Sequence, residues 1–151
     1  MKAPARTPDE AGGRVGVEIP ESEVRRIARR AATVWPREAC GVLIGHRDGA
    51  SVAVHRAGLC RNIDPCPGAR YELHPRDFLR WDRAAGRREW EVVGIWHSHP
   101  GGAPVPSATD RERAWRGWSY LIVAVEPACA PALRCWRMRG EGFVEEPISR
   151  R

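Results

Sequence analysis

The sequence predicts an α+β fold, an α/β/α sandwich whose central sheet is mixed and mostly antiparallel, flanked by helices. Three observations carry this. The elements run helix, hairpin, strand, helix, strand, helix and then strands, an order that fits helices on both faces of a sheet rather than regular βα alternation. Asp48-Gly49 is a hairpin turn signal between two strand-like runs,. Short apolar runs such as Cys40–Gly45 and Ser119–Val125 have the length of buried strands,. With 151 residues the chain is one domain by length, large enough to bury a core.

Residues 1–17 are rich in Pro, Gly, Ala and charge, which predicts a flexible tail before a domain over residues 18–151. A helix follows: Pro20 and Glu21 suit its first turn, and Val24, Ile27, Ala28 and Ala31 share one face,. Pro36 ends it, because a residue before proline avoids the helical region. Cys40–Gly45 is a buried strand, and Ser51–Ala57 pairs back on it as a hairpin,. Residues 59–69, with Asn62, two prolines and Gly68, read as a loop,. Tyr71–Leu73 is a short strand, and Asp77 to about Arg88 a helix that buries Phe78, Leu79 and Trp81. Glu91–Ser98 is an apolar strand. A Gly/Pro loop over Pro100–Pro106 and a helix from Ser107 to about Trp115 come next. Ser119–Val125, Leu133–Arg139 and Phe143–Glu145 close the sheet.

Composition narrows the function. No apolar run approaches the roughly 18 residues of a membrane span, and no signal peptide is visible, so a cytoplasmic protein is expected. The net charge is +6, but nearly all the basic residues are arginines spread along the chain, and no nucleic-acid recognition motif accompanies them. A nucleic-acid partner is therefore not expected. Such charge can instead steer an acidic protein partner. The five cysteines include two C-x5-C pairs, not the tight spacing of structural zinc sites, and in the cytoplasm they are expected to be reduced thiols.

The chemistry concentrates at His97-Ser98-His99-Pro100 and Ser107-Ala108-Thr109-Asp110. Side chains two apart on a strand leave the same face, so both imidazoles can reach one ion. Asp110, in the first turn of the next helix, supplies a third ligand. Two nitrogens and a carboxylate, with a position left for water, suit zinc. Helix capping is the plainer explanation of Ser107-x-x-Asp110, and the two roles are compatible. Glu38, just before a core strand, is an ordinary solvated residue on its own and a candidate base for a bound water beside a metal. Trp96 is expected in the core. Ser98 either orients the histidines or faces away from them. His46, His55 and His74 are read as structural or solvated.

Glu38, the strand Cys40–Gly45, His97-x-His99, seven residues and Ser107-x-x-Asp110 together reproduce E…H-x-H-x7-S-x-x-D. In this the chain resembles the JAMM (MPN-plus) metalloprotease family, over roughly residues 18–146, in its compact prokaryotic form. The resemblance implies the family's cytidine-deaminase-like fold. It implies one zinc ion with a bound water, held by His97, His99 and Asp110. It makes Glu38 the general base and Ser107 the hydrogen-bond donor to the oxyanion, not a nucleophile. The implied activity is that of a zinc metallopeptidase or isopeptidase cutting the amide bond after the C-terminal Gly-Gly of a small ubiquitin-like or sulfur-carrier protein. A non-catalytic scaffold of the same fold and a basic nucleic-acid-binding module are the alternatives. The sequence leaves a homodimer open.

Overall fold

The computed structural model describes residues 15–151. Most of the expected tail, residues 1–14, lies outside the described residues. Its last two positions do not belong to a tail: Gly16 and Val17 open strand β1 (Gly16–Ile19). Then follow α1 (Glu21–Val34), β2 (Cys40–Asp48), β3 (Ser51–Cys60), α2 (Pro75–Gly86), β4 (Glu91–Pro100), α3 (Ala108–Arg113), β5 (Ser119–Val125), β6 (Ala132–Arg139), β7 (Gly142–Glu146) and β8 (Ile148–Arg150).

The strands form one sheet in the order β7-β6-β5-β4-β2-β3-β1-β8. It is mixed: β4 runs parallel to β5, and β1 is parallel to both β3 and β8, while the other pairs are antiparallel. Alternation along β2 feeds two cores. Leu43 packs with Val24, Ile27 and Ala31 of α1, together with Trp96, Leu121 and Val123. Val42 and Ile44 face the other way, against Phe78, Trp81 and Ala85 of α2,. The fold is thus the expected mixed sheet flanked by helices.

Three expectations need correction. Tyr71–Leu73 is not a strand; a single bridge, Asn62 to Leu73, is all that pairs there. Leu79 is not core, being 47% exposed. Phe78, Trp81 and Ala85 follow the i, i+3, i+7 stripe that meets the sheet, and Leu79 sits one residue, about 100°, off that stripe. The helix opened by Ser107 stops at Arg113 rather than reaching Trp115. Trp96 is fully buried, and its Nε1 donates to the Gly58 carbonyl at 3.0 Å. All five cysteines are free.

The contact beneath Trp96 gives a stability prediction. A Cβ on Gly41 would run into the Gly58 carbonyl oxygen and into Nε1 of Trp96. Neither can retreat, because they bond to each other inside the core. Gly41→Ala is expected to cost about 3 kcal/mol, at the upper end of overpacking penalties, read as a lowered urea midpoint at unchanged slope.

Candidate metal centre

The site forms where the ends of β2 and β4 meet the first turn of α3. His97 pairs across the sheet with Cys40 and so projects to the α2 side, as does His99 two residues on,. Ser98 points to the opposite face and is fully buried. Its hydroxyl accepts the Ala39 N–H at 2.8 Å, and its own N–H donates to the Ala39 carbonyl at 3.0 Å. Of the two expectations for Ser98 the second holds, yet it still acts on the site: it ties residue 39 to the middle of the His-x-His segment and so brings Glu38 alongside.

Glu38 is held by its backbone as well. Its N–H donates to the Pro67 carbonyl at 2.6 Å, and its carbonyl accepts from Asn62 Nδ2 at 3.1 Å. The Asn62 amide is used completely. Nδ2 also donates to the Arg70 carbonyl, while Oδ1 accepts the N–H groups of Asp64 and Glu72, the full capacity of an amide side chain. Asn62 was legible only as a loop residue. The cue available was a short amide among prolines and glycine, where backbone groups lack ladder partners. Tyr71 was missed in the same way. Its ring stacks on His97 with centroids 4.4 Å apart and planes 26° from parallel, which fixes the imidazole plane.

The capping expectation is met in full. Ser107 is the N-cap of α3 and its Oγ accepts the Asp110 N–H at 3.1 Å, while Asp110 Oδ2 accepts the Ser107 N–H at 2.8 Å. This box aims the Asp110 carboxylate at the histidines. Its Oδ1 lies 3.3 Å from His97 Nε2 and its Oδ2 lies 3.1 Å from His99 Nε2. The two Nε2 atoms are 3.1 Å apart. One ligand atom from each of His97, His99 and Asp110 falls within 4.8 Å of the others.

The donor set fits a divalent metal. The Ala103 carbonyl lies 2.9 Å from His99 Nδ1, which places that ring's proton on Nδ1 and leaves a lone pair on Nε2. Two imidazole lone pairs brought this close need a proton or a cation between them. Two neutral nitrogens and one carboxylate oxygen are borderline-soft ligands of the kind zinc takes.

Burial shapes the charges. It raises the Glu38 carboxyl to about 7; His99 works against the rise, and Asp110 and Asp64 add to it. Oε2 of Glu38 is buried and has no hydrogen-bond partner among the described residues. Burial also disfavours charge on Asp110, but the two imidazoles beside it and the Ser107 N–H hold its carboxyl well below the usual range. Burial lowers the His97 pKa. The other histidines stand elsewhere: His74 caps α2, and His55 lies between His46 and Trp90 in a ring cluster.

Residues 20–139 match the family described as prokaryotic homologs of the JAB domain. The chain is 45% identical over 89 residues to the desampylase of Haloferax volcanii, covering 58% of this chain and 62% of that protein. It is 35% identical over 89 residues to the CD-NTase/cGAS isopeptidase of Vibrio cholerae, covering 52% of each chain. The chain thus spans less than two thirds of either relative. The solution structure of a Desulfitobacterium hafniense protein superposes with a TM-score of 0.80 at 30% identity, covering 89% of this chain and 92% of that one.

Proposed function

The chain belongs to the prokaryotic homologues of the JAB domain, and from that premise we propose that it is a zinc-dependent isopeptidase. It hydrolyses the amide bond that follows the C-terminal Gly-Gly of a small ubiquitin-like or sulfur-carrier protein. One observation carries the chemistry: a buried carboxylate with a free oxygen, Glu38, is pinned beside three converging metal donors. The names of the relatives, a desampylase and an isopeptidase, support the bond class.

His97, His99 and Asp110 would hold the ion. The chemistry zinc supplies there is Lewis-acid polarisation and a water acidic enough to ionise near neutral pH. Glu38 takes the proton of the attacking water on Oε2 and passes it to the departing amine, as general base and then general acid. Its elevated pKa suits both halves of that transfer. Ser107 serves the oxyanion. The capping bond consumes a lone pair of Oγ, so the hydroxyl proton stays free to be donated,. Among the described residues Ser107 Oγ is bonded to the Asp110 N–H and to no imidazole, so it lacks the adjacent base that would make it the nucleophile of a serine triad.

The test is a synthetic peptide in which Gly-Gly is joined to a lysine ε-amine, incubated with protein loaded with one equivalent of zinc and read by intact mass. Release of the lysine peptide is expected. Stripping the metal with 1,10-phenanthroline should abolish it, and added zinc should restore it. No release by zinc-loaded protein from this peptide or from a folded Gly-Gly-terminated conjugate overturns the proposal.

A further inference from the structure

The outer side of α1 carries charge that the metal centre does not use. A groove of about 460 Å³ between α1 and β3 is lined by Arg25, Arg26, Arg29, Arg30 and Arg56, with Glu23 its one acid. That acid is already engaged: Glu23 accepts the Ala57 N–H at 2.8 Å and pairs with Arg56 at 3.4 Å. A second groove of about 220 Å³ shares Arg30 with the first, adds Arg37, and is walled by Glu38. The two form one basic track that ends at the candidate base. Among the described residues, Arg25, Arg29, Arg30 and Arg37 have no ion pair. Like charges crowded along one helix repel unless something neutralises them.

We propose that this track is the docking surface for the substrate protein, and that the face of that protein beside its scissile tail is acidic. This deepens the isopeptidase reading and rests on it. Charge complementarity selects the partner, and Glu38 in the wall of the second groove selects protein over nucleic acid, because the chemistry proposed for that residue is amide hydrolysis. A comparable arginine row on α2 and its C-cap, with Arg76, Arg80, Arg83 and Arg87, lines a groove that does not include Glu38. The 14 residues of α1 span about 20 Å,, a length that about six extended residues cover. Opposed charges of this kind act on encounter and on KM more than on the chemical step.

Fluorescence anisotropy tests it without requiring any bond to break. The probes are labelled Gly-Gly-lysine isopeptides carrying six acidic residues either before the Gly-Gly or on the lysine side, the same peptide with serines, and a 12-residue oligothymidylate. At about 50 mM salt the peptide with acids before the Gly-Gly is expected to bind about tenfold tighter than both the serine peptide and the peptide with acids on the lysine side, and about 500 mM salt should erase the difference. Arg25→Glu with Arg29→Glu should remove the preference. Arg83→Glu with Arg87→Glu makes the same change of net charge and should leave it. Equal binding of acidic and serine peptides, equal losses from both double variants, or tighter binding of the oligothymidylate overturns the proposal. Hydrolysis of the serine peptide reports on the isopeptidase reading alone, so the two can fail separately.

Discussion

Glu38→Gln is expected to keep one zinc ion per chain and to lower kcat by about 10²- to 10⁴-fold, the range for loss of a general base. The substitution is nearly isosteric and leaves the backbone clamps in place, because Pro67, Asn62 and the Ala39–Ser98 pair hold main-chain atoms rather than the carboxylate. KM for a Gly-Gly peptide should change little, since an amide occupies the same volume. A second consequence follows from burial. The Glu38 carboxyl has a pKa of about 7 in the folded, metal-free protein and its ordinary, lower value when unfolded. The folded state therefore binds the extra proton between those values, and stability falls as pH rises from about 4.5 to about 7. Metal-free Glu38→Gln should accordingly melt higher than metal-free wild type at pH 8, and the two should converge near pH 4.5. Such a gain from removing a site residue is the usual exchange between stability and function. A fully active Glu38→Gln variant would remove Glu38 from the mechanism. An unchanged melting temperature at pH 8 would contradict the buried, unpartnered environment of its carboxylate.

Much of this was legible in the chain because local patterns report local structure. Apolar runs bounded by turn residues marked β2, β4 and β5, and the spacing of Val24, Ile27 and Ala31 marked α1. Two histidines of strand spacing followed by a capping box pointed to three residues that the fold gathers into one cluster. What escaped depends on distant partners. Strands β1 and β8 have 4 and 3 residues, too short to show alternation, and they exist because each pairs in parallel with a segment far away in sequence. Leu79 is apolar in a helix, yet which stripe meets the sheet was settled by Phe78 and Trp81. The proximity of Glu38 to the histidines rests on a bond between residues 59 apart. Asn62 matters through four backbone groups that only the folded loop brings within reach. The family pattern could associate Glu38 with the histidines; the hydrogen bonds show how the chain holds it there.

Asp110 caps α3 and is the proposed third metal ligand, and a pair of variants separates the two roles. In Asp110→Ala both the proposed metal ligand and the acceptor for the Ser107 N–H are gone. Zinc affinity is expected to fall by more than about 10²-fold, beyond the loss typical of an outer-shell partner. The metal-free protein should also lose about 1 kcal/mol, the usual worth of a helix cap. In Asp110→Asn the side-chain carbonyl can still accept from Ser107, so the cap survives, but the negative charge and a strong oxygen ligand do not. That variant should melt close to wild type without metal and yet bind zinc almost as poorly as Asp110→Ala. Competition with a chromophoric chelator measures the first quantity, and thermal unfolding of the stripped proteins the second. The carboxylate also lies 3.3 Å and 3.1 Å from the two imidazoles, so its removal would leave two nitrogen donors to hold a cation with no anion to balance it. If Asp110→Asn bound zinc like wild type, Asp110 would be a helix cap and the third ligand would have to come from elsewhere. If Asp110→Ala lost affinity without losing stability, the capping box would contribute geometry alone, aiming a ligand rather than holding a helix of 6 residues.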